Sequence, residues 1–314
     1  MNSKLKKAFS IGILAIILFF FFLYISRNID DFKQLKLVKP SLIILLAVIT
    51  LLSSTFNGMI TDRLVSSFNI KLKFKEWFGL SIITTFYNTI TPFRGGMVAR
   101  AFYLKKRHNF PYTTFLAALA GTYVITFFIA SLFGIISLIG LYLLQGIFNY
   151  WVLAIYLAFF IPLLIIILIS PKFTETKNNF INKFIEVLNG WYLIHKNRKT
   201  ILAVGLISII QLLIGASGYI ISYSMFEIQV SLVQAIFLST FGSFAILISI
   251  TPAGLGISEA VSVFSALVIG ITPVQSLTVA ILNRAVSTII LFILGPIFSY
   301  LLFKNQKTNK NKTE

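Results

Sequence analysis

The sequence predicts an all-α integral membrane protein: about six transmembrane helices plus two re-entrant broken-helix hairpins, related as inverted repeats. Three observations lead there. Of 314 residues, 57% are hydrophobic and only 11% charged, against about 25% charged in a soluble domain. The apolar residues gather in runs long enough to cross a hydrocarbon core of about 30 Å, which takes roughly 20 helical residues. Two of those runs are interrupted midway by similar segments containing Pro and Gly, which break a helix. Because apolar segments take up nearly the whole chain, residues 1–314 read as a single membrane domain. The same composition excludes a soluble fold, and with it a nucleic-acid reading of the net charge of +18.

The first candidate span is Ala8 to Ile25, led by Lys4, Lys6 and Lys7. It begins like a signal peptide, but it is long and no small-x-small cleavage pattern follows, so a retained anchor helix is expected. The second span runs from Pro40 to about Thr61. Further spans are about Tyr112 to Leu144, Ile147 to Ser170, Thr200 to Met225 and Val274 to Phe303. Between them, Trp77 to Leu104 is interrupted by Thr91-Pro92-Phe93-Arg94-Gly95-Gly96, and Val230 to Ile271 by Thr251-Pro252-Ala253-Gly254-Leu255-Gly256. Each is expected to fold back as a hairpin, since broken backbone at membrane depth needs protein or a polar cavity around it.

The two breaks resemble each other. Ile90-Thr91-Pro92 and Gly96 match Ile250-Thr251-Pro252 and Gly256 at an offset of 160. Pro111, Ala118, Val124 and Thr126 match Pro273, Ala280, Val286 and Thr288 at an offset of 162. Repeat 1 then covers about 40–144 and repeat 2 about 200–303. Three full spans separate the hairpins, so the repeats are inverted.

Basic residues set the expected orientation. With both termini cytoplasmic, 20 of the 27 lysines and arginines fall on cytoplasmic segments. Only Arg27, Lys33, Lys36 and Lys39 fall outside, and Arg94, Arg100 and Arg284 remain at membrane depth. The expectation is a multi-pass protein of the plasma membrane, with Trp77, Trp151 and Trp191 at its interfaces. The polar connection 171–199 places Phe180, Phe184, Leu188 and Trp191 on one helical face, with Lys177, Lys183 and Lys196 left polar. Such a helix either lies on the inner leaflet or packs beneath the bundle.

Little conventional chemistry is available. Cysteine is absent, His108 and His195 sit beside Lys or Arg in polar connections, and no G-x-x-x-x-G-K-[ST] motif occurs. No metal, cofactor or catalytic relay is expected. The broken helices offer something else: a half-helix that starts inside the membrane turns unpaired N–H groups and a positive dipole end inward, which suits a phosphate. Inverted repeats with such breaks are a transporter pattern. Arg94 and Arg100 add full charge beside the first break, either as functional groups or as side chains that snorkel to the headgroups. Glu259 is the carboxylate deepest in an apolar segment, and it is expected to pair with Arg284, which follows Asn283. That pair reads as a proton- or substrate-responsive gate or as a static clamp. The candidate substrate-binding set is Arg94, Gly95, Gly96, Arg100, Gly254, Gly256, Glu259, Asn283 and Arg284. Tyr87, Asn88 and Thr89 could line a polar cavity just before the first break.

Two stretches carry a family resemblance: Pro92-Phe93-Arg94-Gly95-Gly96-Met97-Val98-Ala99-Arg100-Ala101, and Pro252-Ala253-Gly254-Leu255-Gly256-Ile257-Ser258-Glu259-Ala260 with the later Asn283-Arg284. The layout resembles the membrane domain of the lysylphosphatidylglycerol synthase/flippase family over nearly the whole chain. Relatives usually carry an acidic residue after the second glycine of the first motif, where this chain has Met97. An arginine that pairs with that acid in relatives would stand unpaired here as Arg100. The soluble aminoacyl-transfer domain of the full-length synthases finds no counterpart in these residues, nor does the glycosyltransferase domain of some archaeal relatives. The resemblance therefore implies translocation or handling of an anionic or polyprenyl-phosphate-linked lipid. Its partners would be membrane lipids. A non-catalytic partner of a separate lipid-modifying enzyme, an enzyme on lipid-linked substrates with Glu259 as its acid or base, and a homo-oligomer are the other readings.

Overall fold

A computed structural model describes residues 35–304 save 175, 249 and 250, together with 26, 29 and 30. The candidate anchor Ala8 to Ile25, Ile250, the Phe180 side chain and the tail lysines Lys307, Lys310 and Lys312 lie outside the described residues. Among the described residues the chain is helical throughout, with no strand. Five helices are long and apolar enough to cross a membrane: α1 (Leu42–Ser66), α4 (Tyr112–Gln145), α5 (Tyr150–Leu168), α7 (Arg198–Ser224) and α10 (Pro273–Phe303). The protein is an all-α integral membrane protein that crosses the bilayer several times.

The two interrupted runs fold as the local chemistry of proline dictates. The residue before a proline is pushed out of the helical region. Thr91 accordingly turns extended (φ −124°, ψ 143°) and ends α2 (Phe74–Ile90). Thr251 does the same (φ −76°, ψ 156°) after α8 (Leu232–Ile248). Each proline then starts a short 3-10 turn, Pro92–Arg94 and Pro252–Gly254, whose second residue is left-handed: Phe93 at φ 54° and Ala253 at φ 54°. The chain re-enters a helix as α3 (Gly95–His108) and α9 (Ile257–Val268). The prolines are 160 residues apart, and the helix starts 162, because Leu255 and Gly256 are an additional step in the second break. Gly256 takes φ 79° there, a conformation that glycine enters without a Cβ penalty.

Packing interleaves the two halves. The α1 helix lies on α7, α2 lies on α10, and α8 lies on α4, so each hairpin's first arm leans on the long helix of the other half. The two breaks touch each other, and α2 also reaches the second break. A core of Phe127, Leu138, Tyr156, Phe237 and Phe241 joins α4, α5 and α8. Tyr156 is fully buried there, its hydroxyl 2.8 Å from Thr240 Oγ1. At the open end of the first hairpin, Glu76 of α2 accepts hydrogen bonds from Tyr103 (2.8 Å) and meets His108 Nε2 (2.9 Å), both on α3. The two arms are thereby stapled at the end away from the break.

The connection 171–199 corrects one expectation. Its helix α6 (Asn179–Lys196) packs against α4 through Ile185, Trp191 and Ile194, all buried. Phe184 and Leu188, placed on one face with Trp191 from the sequence, are 59% and 46% exposed while Trp191 is buried. The reason is steric. Gly190 comes so close to Ala117 that an added Cβ would stand 2.3 Å from the alanine methyl, and this close approach selects the face carrying Gly190, Trp191 and Ile194.

Candidate functional site

Both breaks converge, and the candidate residues sort into two unequal clusters around them. In the first, Arg94 is itself left-handed (φ 58°, ψ 48°), an uncommon state for a residue with a Cβ and one that clusters at functional sites. That backbone turn sends its guanidinium to α4, where Nη1 donates to the Tyr123 hydroxyl at 2.5 Å. Gly95 and Gly96 begin α3. The Gly96 N–H donates to Asn88 Oδ1 at 2.9 Å, so Asn88 of α2 ties the re-entering helix back to the arm before the break. A Cβ on Gly96 would lie 1.9 Å from the Thr84 carbonyl oxygen. Gly96→Ala therefore forces the two arms apart. We expect it to cost about 3 kcal/mol, the upper end of overpacking, read as a fall in the apparent Tm in detergent.

One turn further along α3 stands Arg100. It is buried, with 6% of its surface exposed, so it does not snorkel to the headgroups. Its Nε donates to Thr84 Oγ1 (2.9 Å) and its Nη1 to Thr61 Oγ1 (3.0 Å). Both hydroxyls already donate their own protons to helix carbonyls, Thr84 to Leu80 and Thr61 to Asn57. They present Arg100 with neutral lone pairs and nothing more. Among the described residues, neither Arg94 nor Arg100 has a carboxylate at ion-pair distance.

The second cluster is self-compensated. Glu259, 6% exposed, meets Arg284 Nη2 with Oε1 at 2.5 Å. Its Oε2 accepts the Gly256 N–H at 2.8 Å, capping the start of α9. Arg284 also donates to the Ala253 carbonyl (3.3 Å) and to Ser258 Oγ (3.0 Å). Ser258 in turn donates to the carbonyl of Gly254, a buried left-handed glycine (φ 65°). The pairing of Glu259 with Arg284 is thus realised, and it fixes the second break to α10. Asn283, one residue earlier, accepts from Ser222 of α7 at 2.6 Å and belongs to that helix contact rather than to the ion pair. Because Glu259 caps α9, the positive end of that helix is already answered by a carboxylate. The electropositive break is the first.

Sequence reasoning missed Tyr123, Thr61, Thr84 and Ser258. Tyr123 is a polar side chain in an apolar span, which is a signal of a sort. The threonines carry none, since a hydroxyl in a membrane helix ordinarily bonds its own carbonyls.

Residues 8–295 match the family described as Lysylphosphatidylglycerol synthase TM region. A UPF0104 membrane protein of Methanocaldococcus jannaschii is 27% identical, over 99% of this chain and 100% of its own. No solved structure matches. With nearly the whole length matched and both breaks inside the match, the chain belongs to the lysylphosphatidylglycerol synthase transmembrane-region family.

Proposed function

We propose that the protein is a flippase-like translocator that moves a phosphate-bearing lipid between leaflets, binding its headgroup at the paired breaks while the tails stay in the bilayer. The observation that carries this reading is the charge left over at the first break. Cations buried without a counter-charge are expensive in a membrane and mark binding or transport paths. Arg100 is such a cation, and Arg94, half-buried on the same hairpin, likewise has no carboxylate at ion-pair distance among the described residues. Family membership supports a lipid, because the family's description names the membrane region of a lipid-modifying enzyme. The interleaved packing of residues 40–144 with 200–303 supports inverted repeats, whose relative motion would expose the site to each side in turn. The distribution of basic residues supports a plasma-membrane location with both termini cytoplasmic. Glu259 makes a poor acid or base, since both its oxygens are engaged.

The test is lipid translocation by the purified protein in vesicles, with a headgroup-labelled anionic phospholipid whose outer-leaflet label is bleached by dithionite. Wild type should move label to the outer leaflet faster than protein-free vesicles do. Arg94→Gln removes a charge-assisted contact of about 1.5–3 kcal/mol, so the rate should fall at least about tenfold. Equal rates with and without protein would end the translocator reading and leave that of a partner to a separate enzyme.

A further inference from the structure

The two hairpins are joined unequally to the long helix that follows each of them. In the second half α9 lies along α10, and Arg284 of α10 holds the break through Glu259, the Ala253 carbonyl and Ser258. In the first half α3 touches α4 over a much shorter stretch, toward the open end, where Ala101 and Leu104 share an apolar cluster with Phe115. At the break, the polar tie to α4 among the described residues is the single bond from Arg94 to Tyr123. The residues of the second clamp have counterparts in the first half at the offset of 162, and those counterparts cannot pair. Glu259 corresponds to Met97 and Arg284 to Thr122, whose hydroxyl donates to the Ala118 carbonyl of its own helix. The arms of the first hairpin are nevertheless tied to each other, by Gly96 to Asn88 near the break and by Tyr103 and His108 to Glu76 at the other end. A hairpin braced within itself and weakly joined to its neighbour parts from that neighbour as a unit, since regions of low contact density open first.

We infer that the seam between the first hairpin and α4 is the part of the protein that opens. Its latch is the Arg94–Tyr123 bond, and a phosphate-bearing headgroup releases it by taking the Arg94 guanidinium. This rests on the lipid reading above and adds how that site is regulated. Arg94 is half-buried, so a ligand can reach it, and the partner it must leave is a neutral phenol. A phosphate accepts from a guanidinium with charge assistance, often through two bonds at once, and so displaces the phenol. Such a ligand favours the parted state, because there Tyr123 no longer competes for the guanidinium. The latched backbone is also the strained one of the two breaks. Arg94 is left-handed at φ 58°, where its counterpart at the offset of 160, Gly254, takes φ 65°. Glycine enters that region freely and arginine at a cost.

The chain has no cysteine, so spin labels enter only at chosen sites. One labelled pair spans the first seam, Val98→Cys on α3 with Leu116→Cys on α4. The other spans the second, Ala260→Cys on α9 with Ile281→Cys on α10. All four positions are exposed. Electron paramagnetic resonance on the full-length protein reads the distance within each pair, in phosphatidylcholine vesicles and again with phosphatidylglycerol added. The second pair should keep one distance throughout. The first should show an additional, longer distance whose share rises with phosphatidylglycerol. Tyr123→Phe, which deletes the acceptor and keeps the ring, should raise that share in phosphatidylcholine alone. Building the missing clamp, Met97→Glu with Thr122→Arg, should remove the longer distance and slow translocation at least about tenfold, the worth of one charge-assisted bond. A single unchanged distance for the first pair, in vesicles where labelled lipid is translocated, would overturn the opening seam and leave the lipid reading standing. Equal movement in both pairs would overturn its assignment to the first half. A longer distance that grows in Tyr123→Phe but not with phosphatidylglycerol would overturn the headgroup as the release. Movement of the first pair without translocation by wild type would overturn the lipid reading beneath it.

Discussion

Glu259→Ala is expected to destabilise the protein by about 3 kcal/mol, the lower end of what removing one member of a buried ion pair costs. The low end applies because Arg284 is 23% exposed and can recruit some solvent. Three bonds are lost or weakened at once: the pair itself, the cap on Gly256, and the orientation of Arg284 toward Ala253 and Ser258. Arg284→Ala should cost a similar amount by leaving Glu259 alone in an apolar hairpin. The double variant should be less damaged than the two single losses added, because it leaves no unpaired charge. Thermal unfolding of all four proteins in the same detergent measures this. Single losses within about 0.5 kcal/mol of wild type, the range of an ordinary surface substitution, would show that the pair contributes nothing. Glu259→Gln separates clamp from gate. A clamp predicts lower stability with unchanged translocation per folded molecule, and a gate predicts an altered rate. The bonding of Arg284 to three groups on one hairpin favours the clamp.

How much of this was legible in the sequence follows from the range of each interaction. Proline and glycine act on their immediate neighbours, so the breaks at Pro92 and Pro252 could be read to the residue. The Glu259–Arg284 pair was legible for another reason: a lone carboxylate in an apolar segment has few partners to choose from. The face by which α6 docks was not legible. That helix carries apolar residues on more than one side, and the choice fell to the contact of Gly190 with Ala117 on another helix. Periodicity describes one helix and says nothing of its partner. Arg100 shows the same limit, because its partners lie 16 and 39 residues away in sequence. The absence of an acid beside it was readable at Met97. That it would be buried against two threonines was not.

Arg100→Met is expected to do two opposite things: to stabilise the lipid-free protein by about 2.5–3.5 kcal/mol, and to weaken retention of the anionic lipid at least about tenfold. The first figure is the cost of placing an arginine at the centre of a membrane helix. The second is one charge-assisted contact. Methionine fills the space of the aliphatic stem and adapts to irregular gaps. The hydroxyls left behind are not orphaned, since Thr84 and Thr61 keep their bonds to Leu80 and Asn57. A residue that holds the hairpin together would behave otherwise, and Arg100→Met would then lower stability and lipid retention together. The sign of the stability change therefore decides between a cation held in place for a ligand and a cation that serves the fold. Thermal unfolding in detergent without added lipid reads that sign. Repeating it with phosphatidate should reverse the order, because a ligand that binds only the folded state raises its stability in proportion to affinity, and only wild type retains both charges assigned to the headgroup. A protein in which Arg100→Met is the less stable form under both conditions would remove Arg100 from the site and leave Arg94 to hold the headgroup alone.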